Sequence, residues 1–242
     1  MALKLFVDFD GTITRHDVGN AFFRSHGGEA CDALVRRYHE GAIGAPELFR
    51  AEAEAMGRVD MRALEALVDA EPIDPSFPAL AAFCRDRGVD MLVVSDGLDY
   101  YIRRILEREG CGDVPFVANR AVFLPGGEDG RVTVVPEFPH ADAACDRCAC
   151  CKRNVMLAAA GEEDRIAYVG EGYSDRCPVR YADIVFAKDA LQAYCQDENI
   201  TYYPYTTFDD VRSRLAALLE RPAIRVRARA ERERRAAFRH ES

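Results

Sequence analysis

The sequence predicts an α/β protein: a Rossmann-like, mostly parallel sheet with a helical cap inserted after the first strand and a small β-hairpin. Three observations predict it. Short apolar runs alternate with stretches whose apolar residues recur every three or four positions. The alternation stops between Thr14 and Asp74, where four helical periods follow one another with no main-sheet strand between them. Three of the apolar runs end in polar, glycine-bearing turns, at the strand ends where open α/β sheets place their ligands.

Leu3-Lys4-Leu5-Phe6-Val7 reads as the first strand, because large and β-branched apolar residues suit a strand covered on both faces. Helices are then predicted over Asp17–His26, Glu29–Gly41, Pro46–Met56 and Asp60–Ala70. Their buried stripe is Phe22, Phe23, Leu34, Tyr38, Leu48, Phe49, Leu64 and Leu67. Ser76–Arg87 is a helix, Val89–Val94 a strand, and Leu98–Glu109 a helix stopped by Gly110. Phe116–Ala118 is a short strand, and Ala121–Leu124 and Arg131–Val135 flank a Gly- and acid-rich turn as a hairpin. After an irregular 136–146 come helix Arg153–Ala160, strand Arg165–Val169, helix Asp175–Tyr181 and strand Asp183–Phe186. Helix Asp189–Gln196, strand Ile200–Tyr203 and helix Asp209–Leu219 complete the winding. The expected units are a core of 1–14 and 75–220, a cap of 15–74 and a basic C-terminal helix or tail of 221–242.

Composition narrows the function classes. The 242 residues are 49% hydrophobic and 30% charged, as in ordinary globular proteins. The net charge of −9 divides into +5 on 221–242, which holds eight arginines against three glutamates, and −14 on the rest. A body so acidic argues against nucleic acid as the main partner. The basic tail is expected to be a solvated helix with i,i+4 ion pairs. No apolar run approaches the ~20 residues that span a bilayer, and Met1-Ala2-Leu3-Lys4 leads into the first strand without a signal peptide. A cytoplasmic protein without membrane partners is expected, and a homodimer is left open. Of nine cysteines, Cys31, Cys84, Cys111, Cys177 and Cys195 are scattered and read as small buried apolar residues.

The chemistry gathers at the strand ends. Asp8 and Asp10 follow the first strand, and residues two apart on a strand project to one side. Such a pair can hold a divalent cation or divide nucleophile and proton donor between them. Asp10 alone could equally cap a helix. Ser95-Asp96-Gly97 and Gly170-Glu171-Gly172-Tyr173-Ser174-Asp175 end two further strands, with Lys152 beginning a helix between them.

In this order the four motifs resemble the haloacid-dehalogenase superfamily of hydrolases over almost the whole chain. The resemblance is greatest to phosphoserine-phosphatase-like members with a helical cap between the first two motifs. Cys148-Ala149-Cys150-Cys151-Lys152, Val185-Phe186-Ala187-Lys188-Asp189 and Tyr203-Pro204-Tyr205 resemble the methionine-salvage branch. The resemblance implies a Mg2+-dependent phosphomonoester hydrolase acting on a small phosphorylated metabolite through an aspartyl-phosphate. The candidate substrate is 2-hydroxy-3-keto-5-methylthiopentenyl-1-phosphate. Asp8 would be the nucleophile and Asp10 the general acid and base. Lys152 would neutralise charge, with Gly11, Thr12, Ser95, Asp96 and Gly97 in the phosphate-binding loops. Asp8, the Asp10 main-chain carbonyl, Glu171 and Asp175 would hold Mg2+.

One position departs from the family, which usually has Asp where this chain has Glu171. The extra methylene moves the carboxylate by ~1.5 Å, about one bond length. Glu171 then binds metal from a shifted backbone, binds it through water, or marks a weakened enzyme. Other readings are a phosphoserine- or phosphoethanolamine-type phosphatase, a phosphotransferase, and a binding or regulatory protein that has lost activity. Substrate-facing cap residues are expected near Asp17, Asn20 and Phe23. Finally, His140, Cys145, Cys148, Cys150 and Cys151 fall within twelve residues. They offer a structural Zn2+ site, with a reduced thiol cluster or a Cys145–Cys148 disulfide as the alternatives.

Overall fold

The computed structural model describes residues 2–126, 129–145 and 147–240. Strand β1 (Leu3–Val7) is followed by helices α1 (Val18–His39) and α2 (Ala45–Met56), strand β2 (Arg58–Val59) and helix α3 (Met61–Ala70). Then come α4 (Phe77–Asp86), β3 (Asp90–Leu98), α5 (Asp99–Arg108), β4 (Phe116–Pro125) and β5 (Val132–Glu137). The chain closes with α6 (Lys152–Ala159), β6 (Arg165–Gly170), β7 (Ile184–Ala187), α7 (Asp189–Asp197), β8 (Tyr203–Pro204), α8 (Phe208–Leu219) and α9 (Ala228–His240).

The eight strands form one sheet in the order β2-β5-β4-β3-β1-β6-β7-β8. From β4 to β8 every pair is parallel, and only β5 and β2 run antiparallel to their neighbours. The continuous apolar run of β1 is explained by its central place: Leu5, Phe6 and Val7 are all buried. Leu5 and Val7 join the core on one face and Phe6 that on the other, where it packs with Met156 and Tyr168. From β1 the chain moves outward through β3 and β4, then returns to β6 on the other side. That reversal puts a switch point at the carboxyl ends of β3, β1 and β6.

The fold differs from the sequence expectation in a few places, each with a local cause. The cap contains a strand after all: Arg58 and Val59 pair with Thr133 and Val132 at the sheet edge. Two residues are too few to leave a periodic signal. The two first cap helices meet without a break in hydrogen bonding, but the backbone leaves helical values at Gly28 (φ 53°, ψ −135°). A left-handed φ is cheap only for glycine, so the kink falls there. The short strand Phe116–Ala118 and the first hairpin strand are one strand, β4, which pairs with β3 up to Asn119 and with β5 from Arg120. The buried Asn119, whose Nδ2 donates to the Asp96 carbonyl at 2.5 Å, interrupts the apolar run. Residues 127 and 128 of the hairpin turn lie outside the described residues. Asp175–Tyr181 is not a helix but two 3-10 turns, Ser174–Arg176 and Pro178–Arg180, because Pro178 supplies no N–H to continue one. The last strand is the shorter Tyr203–Pro204.

The basic tail is docked rather than solvated. Arg234 is buried and donates to the Tyr181 carbonyl (2.6 Å) and to the buried Asp183 carboxylate. Arg227 donates to the Val179 and Arg180 carbonyls. One expected i,i+4 pair is present, Arg235 with Glu231 at 2.6 Å. Among the described residues no helix is long and apolar enough to cross a membrane.

The base of the core domain is closed by α4 against α8, where Phe77 and Phe208 are both fully buried with ring centroids 5.2 Å apart. Phe77→Ala is expected to cost about 3–5 kcal/mol, the usual loss for truncating a buried aromatic residue. Denaturant unfolding of wild type and variant would measure it.

Candidate active site

The loop after β1 is folded by its own backbone. The Phe9 carbonyl accepts from the amides of Thr12, Ile13 and Thr14 at 2.8–3.2 Å, and Gly11, at φ 69°, donates to the His16 carbonyl. This tight turn leaves Asp8 almost fully buried at the strand end. Thr12 Oγ1 donates to Asp8 Oδ2 at 3.0 Å, and Lys152 Nζ donates to Asp8 Oδ1 at 2.6 Å.

Lys152 is the first residue of α6 and is 1% exposed. Its ammonium makes two further bonds, to Asp175 Oδ1 (2.8 Å) and Ser174 Oγ (2.9 Å). Burial opposes the charge, but Asp175 and Asp8 hold the lysine well above its ordinary pKa. Burial, then the neighbouring Asp175, pushes Asp8 up to about 7, against the pull of Lys152.

Asp10 sits above this pair with both oxygens occupied. Oδ1 accepts from the amides of Val18 (3.0 Å) and Gly19 (3.3 Å), at the positive end of α1. Oδ2 accepts from Ser95 Oγ (3.2 Å) and Tyr101 Oη (3.3 Å). Burial, followed by the charges of Asp17 and Asp8, raises Asp10 well above the carboxylate range. A carboxyl whose pKa is raised toward the working pH can give and take a proton. Gly97 makes the close approach possible. A Cβ there would collide with the Tyr101 hydroxyl and stand 2.6 Å from Asp10 Oδ2.

Asp175 is brought to the site but is fully engaged. Oδ1 accepts from Lys152 and from Tyr168 Oη (2.6 Å), and Oδ2 from the amides of Glu171 (2.9 Å) and Gly172 (3.0 Å). Through the shared Lys152 its carboxylate stands beside Asp8. It holds Lys152 and shapes the turn that carries Glu171. Glu171 itself receives no side-chain hydrogen bond among the described residues and lies over Gly11, where a Cβ would stand 3.1 Å from Oε1. Burial, then Asp8 and Asp175, pushes Glu171 up to about 7.

Three of the expected phosphate-loop groups are otherwise committed. Thr12 Oγ1 holds Asp8, the Gly11 amide is spent on His16 and Thr14, and Asp96 Oδ1 accepts the Cys150 amide at 2.6 Å. Ser95, fully buried, accepts the Gly97 amide (2.8 Å) while donating to Asp10. Phe23 is fully buried in the core and faces no substrate, whereas Asp17 and Asn20 do line the cavity. Tyr101, Tyr168 and Ser174 were not singled out in the sequence. A tyrosine in an apolar helix or strand gives no motif, and only its hydroxyl's aim identifies it.

The residues fit a Mg2+ ion better than a zinc ion. Mg2+ takes one or two carboxylates and keeps several waters, and Asp8, Glu171, Asp175 and the Asp10 carbonyl offer oxygens of that kind where Lys152 alone balances several acids. A closed structural zinc site needs four protein ligands. The five proposed for it diverge: His140 lines a separate cleft with Arg103, Cys150 abuts Asp96, and Cys145, Cys148 and Cys151 border another hollow. Among the described residues no group of three or more His, Cys, Asp or Glu is gathered to hold a metal ion, and every cysteine is free, so neither zinc nor the Cys145–Cys148 disulfide is found.

A capped parallel sheet with paired aspartates at the switch point, and a buried lysine behind them, is the arrangement that the resemblance to the haloacid-dehalogenase superfamily implies. The chain belongs to the family described as Putative Phosphatase, whose model matches residues 3–198. It is 28% identical over 223 residues to the 2-hydroxy-3-keto-5-methylthiopentenyl-1-phosphate phosphatase of Exiguobacterium sibiricum, covering 87% of this chain and 95% of that protein. It is 24% identical over 226 residues to the enzyme of the same name from Bacillus cereus, covering 91% and 99%. Among solved structures, a phosphoserine phosphatase captured as a phospho-aspartyl intermediate analogue superposes with a TM-score of 0.66 at 18% identity, covering 89% of this chain and 98% of that one.

Tyr168→Phe removes one donor from the buried Asp175 and leaves the ring in place. The variant is expected to lose about 1–3 kcal/mol of stability, since a buried charged acceptor goes short of a partner. Chemical denaturation would read the loss.

Proposed function

We propose that the protein is a Mg2+-dependent phosphomonoester hydrolase of the cytoplasm that works through an aspartyl-phosphate on Asp8, with 2-hydroxy-3-keto-5-methylthiopentenyl-1-phosphate as its candidate substrate. The observation that carries the reading is the division of environment between two carboxylates two residues apart. Asp8 is paired with a buried ammonium, whereas Asp10 is held by the Val18 and Gly19 amides and by the hydroxyls of Ser95 and Tyr101.

Asp8 Oδ attacks phosphorus in line with the ester oxygen, and the P–O bond to the alcohol breaks as the Asp8 O–P bond forms. The proton on Asp10 passes to the departing alkoxide. Asp10, now ionised, takes a proton from the water that attacks the aspartyl-phosphate, and inorganic phosphate leaves with Asp8 restored. Lys152, fixed by Asp8, Asp175 and Ser174, keeps its positive charge beside the group being transferred, and Ser95 holds Asp10 in place. Asp8, Glu171, Asp175 and the Asp10 carbonyl would hold Mg2+, which screens the anionic ester from the carboxylates when bound.

The cavity above the aspartates has a volume of about 220 Å³ and an apolar wall of Val35, Ala45, Leu48 and Phe49 from the cap. A methylthio-bearing chain suits such a wall, which supports the candidate substrate. Nine free cysteines among the described residues suit a reducing compartment.

Asp10→Asn is expected to lower kcat by about 10²–10⁴-fold with little change in melting temperature, because it removes proton transfer and keeps the shape. Asp8→Asn should abolish turnover. Glu171→Ala should raise the Mg2+ concentration needed for half-maximal activity at least about tenfold, while Glu171→Asp retains Mg2+-dependent turnover. Steady-state assays of phosphate release against Mg2+ check all three, and unchanged Mg2+ dependence in Glu171→Ala would remove Glu171 from the ligand set.

A further inference from the structure

Glu52 stands where a core residue belongs. On α2 the buried positions Ala45, Leu48, Glu52, Ala53 and Met56 form one stripe, and Glu52 is 3% exposed in the middle of it. Its Oε1 is buried without a hydrogen-bond partner, and so is Oδ1 of Asn20 on α1. Both side chains line the cavity above Asp8 and Asp10, beside Asp17. An acceptor buried and unsatisfied is costly, and folding alone gives no reason to keep one. The same cavity wall holds no arginine or lysine; His39 is its one basic side chain. It therefore offers acceptors to whatever enters and nothing strong to receive a second anion.

From this we infer that Glu52, with Asn20, is the specificity determinant of the site. Its free oxygen accepts a hydrogen bond from a donor, hydroxyl or ammonium, on the organic part of the phosphate ester, and the acidic wall rejects esters that carry a carboxylate there. The inference rests on the phosphatase reading and adds the chemical class of the substrate to it. Burial and the nearby Asp17 push the Glu52 carboxyl up to about 8. Phosphoserine is disfavoured, because its carboxylate would find no arginine or lysine on that wall.

The test compares wild type, Glu52→Gln and Glu52→Leu with Mg2+ on four esters: 4-nitrophenyl phosphate, glycerol 3-phosphate, phosphoethanolamine and phosphoserine. Glu52→Leu is expected to lose about tenfold or more in kcat/KM on a donor-bearing ester while staying within about twofold on the nitrophenyl ester. Glu52→Gln keeps an acceptor and should retain most of the selectivity. A selective fall on glycerol 3-phosphate assigns a hydroxyl donor, and one on phosphoethanolamine an ammonium. Melting temperature separates recognition from structure: Glu52→Leu should melt higher, because leucine completes the apolar stripe. Equal losses on all esters, an unchanged ratio, preference for phosphoserine, or a lower melting temperature in Glu52→Leu would overturn the assignment and leave the phosphatase reading standing. Wild type inactive on all four esters and on 2-hydroxy-3-keto-5-methylthiopentenyl-1-phosphate would remove both.

Discussion

A single buried ammonium ties the molecule together. Lys152 reaches Asp8 at the end of β1 and Asp175 beyond β6, and it takes Ser174 as a third partner. None of the charged members is stable alone in that interior. Removing one partner from a buried ion pair typically costs about 3–5 kcal/mol, because the remaining charge is left uncompensated. The arrangement thus forces three distant pieces of chain to one point. It also explains why a segment so poor in apolar residues before α6 keeps a defined path. The Cys151 amide is held by the His140 carbonyl at 2.8 Å and the Cys150 amide by Asp96, so that α6 starts where its first side chain can reach the acids.

The fold and the paired aspartates at its switch point were largely legible in the sequence because both are local patterns. Apolar runs of β1, β3 and β6 are continuous since those strands are buried on both faces, and the acids follow them directly in the chain. What was not legible depends on direction or on distance. Asp175 occupies a motif position, but only its four donors show that it also orients Lys152 and the turn carrying Glu171. The edge pairing of Arg58 with Thr133 joins residues far apart and is two residues long, below any periodic signal. The tail looked solvated because its arginines outnumber its acids. Asp183, which neutralises Arg234, lies in another part of the chain. The cysteines failed as a metal site for the same reason: close spacing says nothing about where thiols point.

The site divides its work between two origins. The core supplies chemistry that would serve any phosphate ester, through groups fixed on strand ends and on α6. The cap supplies the wall that meets the rest of the ester, apolar in Leu48 and Phe49 and acidic in Asp17 and Glu52. The two meet at Asp10, whose carboxyl is held by the amides of Val18 and Gly19 at the start of the cap and by Ser95 and Tyr101 of the core. Placement of the Asp10 carboxyl therefore depends on both halves being seated.

The short β2–β5 ladder has a mechanical consequence. Because Arg58 and Val59 are stitched to the hairpin, the cap is anchored at its rear as well as through the two crossings near Thr14 and Ile73, which bridge each other. The rear edge of the cap is thereby part of the same sheet that carries the aspartates. At another rim Tyr38 and His39 pack edge-on against Tyr173, and Tyr38 Oη donates to the Arg147 carbonyl (2.7 Å). Tyr173 thus lines the cavity and touches the cap at once, so the wall of the site is closed by residues of both halves.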